Sequence, residues 1–103
     1  MLKIGLFGGT FDPIHNGHLV IAEKTVSELG LDRVIFIPAG DPPHKTDKEV
    51  TPKSIRYQMT CLAASAFDWS DVSDFELERD TLSYSVDTVK HFRADYPEDE
   101  LYF

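Results

Sequence analysis

A chain of 103 residues, 42% hydrophobic and 27% charged, has room for one small soluble domain and no more. Its formal net charge of −8 opposes nucleic acid and anionic membrane as partners, and its one cysteine, Cys61, excludes an internal disulfide and fits a reducing cytoplasm. The first apolar stretch is only a few residues long and runs into glycines, which makes neither a signal peptide nor a membrane span.

Leu2 to Phe7 reads as a buried strand, with Gly8-Gly9 as the tight turn that follows it. From Gly17 the spacing becomes helical, with Leu19, Ala22, Val26 and Leu29 on one face, Asn16 as the cap and Gly30 as the stop. Val34 to Ile37 predicts a second buried strand closed by Pro38. The polar stretch behind it contains Pro42, Pro43 and Pro52. Thr51 is placed to cap a helix that has Pro52 at its first position and Ile55, Met59, Leu62 and Ala66 as its apolar face. Trp69 reads as covering the core edge at the exit of that helix, and Cys61 as a small packing residue within it. Val72 to Leu77 predicts a third strand. Ser83 or Ser85 then opens a helix with Val86, Val89, Phe92 and Tyr96 inward, on which His91 reads as solvated. Leu101 to Phe103 reads as the start of a fourth strand.

This alternation predicts an α/β domain, a parallel sheet with helices on both faces, incomplete at the C-terminus. Ligands of such sheets bind beyond the carboxyl ends of the strands. The segments Gly8 to His18, Pro38 to Lys45 and Arg79 to Ser85 each follow a predicted strand, so all three open on one rim. In the first, glycines let the backbone approach an anion, Thr10 adds a hydroxyl, and His15 and His18 flank a helix N-terminus whose dipole favours phosphate. A metal site is the other reading of two histidines, but no third ligand stands at usable spacing. A glycine turn with two surface histidines is the bland one. In the second segment, Pro42-Pro43 stiffens the chain and carries His44 and Lys45, the lysine as a fixed point charge. In the third, the hydroxyls of Ser83 and Ser85 serve equally as helix caps. Asp12 reads as a turn residue, Arg56 as half of a structural ion pair, and Asp87 and Thr88 as structural.

Gly-Thr-Phe-Asp-Pro-Ile-His-Asn-Gly-His, residues 9–18, resembles the signature of the nucleotidyltransferase superfamily marked by a (His/Thr)-x-Gly-His motif. Pro-Pro-His-Lys at 42–45 and Arg79 to Thr88 narrow the resemblance to its bacterial nicotinate-mononucleotide adenylyltransferase branch, with Thr81 where Gly is usual and Ser85 where Thr is usual. The phosphopantetheine branch has Thr where His15 stands and lacks the second and third segments. The resemblance implies a Rossmann-like fold and the N-terminal part, residues 1–103, of a single nucleotidyltransferase domain. It implies transfer of AMP from ATP to nicotinate mononucleotide, with Mg²⁺ bound through ATP and no covalent enzyme intermediate. It makes His15 and His18 catalytic. Gly8, Gly9, Thr10, Phe11 and Lys45 bind ATP and its phosphates, and Ser83, Tyr84 and Ser85 bind the pyridine nucleotide. The family also carries a Ser-(Ser/Thr)-x-x-Arg motif towards its C-terminus, which residues 1–103 lack. A catalytically incomplete nucleotide-binding fragment therefore stays open, as do another adenylyltransferase of the superfamily, for phosphopantetheine or nicotinamide mononucleotide, and a homo-oligomer formed through the edge of the unfinished sheet.

Overall fold

Four strands form one parallel sheet: β1 (Lys3–Gly9), β2 (Arg33–Pro38), β3 (Ser70–Val72) and β4 (Glu100–Tyr102), in the order β3-β2-β1-β4. The computed structural model describes residues 2–9, 11, 14–39, 52–77 and 85–102, without the side chains of 85–87. Three helices, α1 (Asn16–Leu29), α2 (Lys53–Ala64) and α3 (Ser85–Asp95), connect successive strands. Parallel strands covered on both faces need apolar residues at every position rather than at alternate ones. The runs Ile4–Phe7 and Val34–Ile37 meet that need. Val34 and Phe36 face one side, packed with Ala22 of α1 and Ala64 of α2. Ile4, Leu6, Ile35 and Ile37 face the other, against Phe92 of α3. Gly5 lets Leu31 pack close to β1, since a Cβ there would come within 2.9 Å of Leu31 Cδ1 and that side chain would have to shift.

Several boundaries differ from the sequence reading. The α1 cap is His15, not Asn16, while Gly30 ends the helix as expected in a left-handed conformation (φ 65°). Pro52 takes the cap position of α2 instead of the first helical one, and Thr51 lies outside the described residues. The face of α2 is turned from the one predicted. Arg56, Thr60 and Ala64 are buried, whereas Ile55, Met59 and Leu62 are exposed. Hydrogen bonds make the polar burial tolerable, with Arg56 Nη1 donating to Ala39 O (2.9 Å) and Thr60 Oγ1 to Arg56 O (2.8 Å). The third strand is shorter than expected and lies earlier, Ser70–Val72 sharing only Val72 with the predicted span. It ends at Val72, and Leu77 is buried in a turn beyond it. His91 is half-buried rather than solvated, stacked on Phe75 with ring centroids 3.9 Å apart and 3.3 Å from Asp95. Thr88 is a buried structural residue, its hydroxyl 2.6 Å from Glu76 Oε2. Trp69 packs against the core and stacks on Phe67.

The strand order reverses at β1. The chain lays β2 and β3 to one side of it and returns to place β4 on the other, Lys3–Gly5 pairing with Glu100–Tyr102. The carboxyl end of β1, where the histidine segment begins, is therefore the topological switch point at which such sheets bind ligands. No helix among the described residues is long and apolar enough to cross a membrane.

Candidate active site

Gly8 and Gly9 end β1, paired with Ile37 and Pro38 of β2, and Ala39 N donates to Gly9 O at 2.8 Å. The exits of the two central strands are thus bonded side by side. Gly9 has no room for a side chain, because a Cβ would sit 3.0 Å from the Phe11 ring. Phe11 itself has φ 49°, a left-handed conformation that costs a bulky residue on the order of 1–3 kcal/mol. Burial holds it there. Its ring is 3% exposed, in the cluster formed with Phe36 and Ile14, and meets the His18 ring edge-on at 5.1 Å. Phe11 therefore supports the histidine with its side chain, and only its backbone is left to face a phosphate.

The two histidines form one unit. His15 caps α1 by accepting from Gly17 N through Nδ1 (3.0 Å), and His18 Nδ1 accepts in return from His15 N (3.1 Å). Their rings lie 3.9 Å apart, centroid to centroid, tilted by 31°. With each Nδ1 used as an acceptor, each ring carries its proton on Nε2. The result is a pair of adjacent N–H donors at the positive end of a helix, at the carboxyl end of β1. Gly17 is required by the same geometry, since a Cβ there would lie 2.8 Å from His15 Cε1. Burial beneath the aromatic rings, and next the neighbouring His15, lower the His18 pKa below 6.5. His18 therefore donates as a neutral imidazole at neutral pH.

Ser85 is the first residue of α3. Thr10, Lys45, Ser83 and Tyr84, together with His44, lie outside the described residues. Among the described residues no three His, Cys, Asp or Glu side chains converge as a metal cage. Two cations of α2 also reach the rim: Lys53, which the sequence reading passed over, and Arg56, which it took as half of a structural ion pair. Lys53 Nζ donates to Leu77 O (2.8 Å), and Arg56 holds Ala39. Both are cations in the first turns of a helix, where the dipole disfavours them, and that misfit is the signal which could have found them.

Comparison with known proteins bears on the family and the fold. A probable nicotinate-nucleotide adenylyltransferase of Clostridium novyi is 52% identical over 103 residues, covering all of this chain and 52% of that protein. Its counterpart in Moorella thermoacetica is 53% identical over 102 residues, covering 98% of this chain and 47% of the relative. The chain spans about half the length of the curated relatives it matches. Among solved structures, Plasmodium falciparum nicotinic acid mononucleotide adenylyltransferase complexed with NaAD superposes with a TM-score of 0.80 at 19% identity, covering all of this chain and 51% of that one. That likeness shows the fold, a Rossmann-like parallel sheet. A cytidylyltransferase-like family model matches residues 6–101, nearly the whole chain, and the chain belongs to that family.

Proposed function

We propose that this chain is the N-terminal part of a single nucleotidyltransferase domain that transfers AMP from ATP to nicotinate mononucleotide, a step of NAD biosynthesis. The observation that carries the reading is the locked pair of Nε2–H donors at the start of α1, placed at the carboxyl end of β1. The relatives named as nicotinate-nucleotide adenylyltransferases support the choice of substrate.

A 5′-phosphate oxygen of the mononucleotide attacks the α-phosphorus of ATP. The new P–O bond forms as the bond to the β-phosphate bridging oxygen breaks, and that electron pair leaves with pyrophosphate. Both substrates are anions and negative charge builds on the transferring phosphoryl group, so fixed donors at its oxygens lower the barrier. His15 and His18 supply two such donors. The backbone of Gly8 and Gly9 admits the phosphates closely, and Thr10 and Lys45 add a hydroxyl and a positive charge. Ser83, Tyr84 and Ser85 take the pyridine side, where donors at the start of α3 suit a carboxylate. A Mg²⁺ ion would enter bound to ATP and would offset part of the negative charge of the triphosphate.

The test is pyrophosphate release by the complete gene product with ATP and nicotinate mononucleotide. Release matched one-to-one by deamido-NAD is expected, with a higher kcat/KM than for nicotinamide mononucleotide. Equal or reversed preference would overturn the substrate assignment, and absence of turnover with either would overturn the reaction.

A further inference from the structure

We infer that Lys53 and Arg56, three residues apart at the start of α2, are positioning residues that hold the rim segments of the active site in register; their catalytic consequence rests on the adenylyl-transfer reading. Local physics argues against cations at these positions. The first turn of α2 contains no acidic residue, its cap makes no side-chain hydrogen bond, and its N–H groups already present partial positive charge. Arg56 is moreover 0% exposed, and a buried guanidinium is tolerated only where its donors are met. Each of these two side chains gains a tertiary bond to a main-chain carbonyl.

Each bond falls at the mouth of a rim segment. Arg56 Nη1 donates to Ala39 O at 2.9 Å, and Ala39 is the residue directly after β2, before the stretch that contains Lys45. The same residue donates its own N–H to Gly9 O at 2.8 Å. The guanidinium thereby grips the link between the exits of β1 and β2, two residues before Phe11 and six before His15. Lys53 Nζ donates to Leu77 O at 2.8 Å, immediately ahead of residues 78–84. One helix thus fixes a point next to each of the three segments that the reaction must bring together. Neither side chain needs to touch substrate. Arg56 acts on the exit of β1 through Ala39 and Gly9, and Lys53 holds Leu77, the last described residue ahead of Ser83 and Tyr84 in the chain.

This division predicts two different kinetic signatures. Misplacing donors at the reacting phosphorus lowers kcat, whereas loosening the pyridine-side segment weakens substrate capture. In the complete gene product, Arg56→Met should keep the buried volume filled and lower kcat about tenfold or more, with both KM values within about threefold. Lys53→Met should mainly raise KM for nicotinate mononucleotide. Arg56→Lys, which keeps a donor, should recover part of the loss. Amide exchange at Ala39 gives a readout independent of turnover, and it should quicken in Arg56→Met while exchange at Ile35 and Phe36 is unchanged. Variants that fold and keep both kinetic constants within twofold would overturn the proposal, as would activity that falls only in proportion to the unfolded fraction. If Arg56→Met does not fold, Arg56→Lys and Lys53→Met decide it by the same measurements. If the unaltered protein turns over neither mononucleotide, the adenylyl-transfer reading fails, and Ala39 exchange in Arg56→Lys and Arg56→Met still decides whether the clamp exists.

Discussion

An imidazole Nδ1 stands as many bonds from Cα as the side-chain oxygen of Asn, which is why His15 can occupy the position the sequence reading gave to Asn16. The exchange matters chemically, because capping consumes Nδ1 and leaves Nε2–H free to donate. Asn at position 18 would keep an acceptor for His15 N, but its amide donors fall short of the place that Nε2–H occupies. His18→Asn should therefore retain most of the roughly 0.5–2 kcal/mol that such a cap is worth, yet lower kcat about 10²- to 10³-fold. Urea titration and steady-state kinetics on the same variant separate the two roles, and near-normal kcat would remove His18 from the chemistry. The depressed pKa of His18 makes a second prediction. Below pH 6.5 the unfolded chain takes up a proton there that the folded chain resists, so this contribution to stability is full above 6.5 and is lost as pH falls through the lower folded value. The urea midpoint should fall more steeply between pH 7 and pH 5 for the unaltered protein than for His18→Asn. Removing the Phe11 ring should bring the His18 pKa back towards 6.5, which an NMR titration of Phe11→Ala would record.

At the level of elements, α1 and α2 show two different ways in which periodicity meets tertiary demand. On α1 the predicted stripe of Leu19, Ala22 and Val26 does face the core, although Leu29 at its end is exposed. On α2 an equally regular stripe, Ile55, Met59 and Leu62, points outward, with Leu62 75% exposed. Small residues, Ala63 and Ala64, bring that helix close to the sheet, and the bond from Arg56 to Ala39 fixes its rotation. Leu62→Lys should consequently change stability by no more than about 0.5 kcal/mol, whereas Ala64→Leu should cost about 1–3 kcal/mol by overpacking. Chemical denaturation of both variants distinguishes this face from the one predicted. The start of α1 supports a complementary test. Gly17→Ala favours the helix by up to about 1 kcal/mol but places a Cβ against the His15 ring. Melting temperature should hardly move while kcat falls about tenfold or more, and unchanged kcat would show that the ring pair is not needed in this arrangement.

Over the whole molecule, the order β3-β2-β1-β4 leaves β4 at one edge, with β1 as its only neighbour among the described residues. Beside it a groove of about 460 Å³ runs between β1 and α1, lined by Gly5, Phe7, Ala22, Leu29 and Tyr102. An apolar groove next to an unpaired strand edge favours pairing with further chain. The 103-residue polypeptide by itself is expected to self-associate in sedimentation velocity and to release pyrophosphate far more slowly than a relative of full length. A monodisperse, cooperatively folding monomer with comparable turnover would contradict this.

The alternation of short apolar runs with helical spacing was enough to place β1, β2, α1 and β4, to make the sheet parallel, and to bring the histidine segment to its ligand-binding rim. Apolar period and turn chemistry are local properties, and a parallel sheet covered on both faces leaves them few arrangements to serve. The rotation of α2, the short β3, the stacking of His91 on Phe75 and the rim bonds of Lys53 and Arg56 were decided only in three dimensions. Each depends on a partner distant in sequence, such as Ala39 for Arg56 or Leu77 for Lys53. Polar side chains are buried where an acceptor happens to be in reach, a main-chain carbonyl for Arg56 and the Glu76 carboxylate for Thr88, and no periodicity in the residues themselves encodes that coincidence.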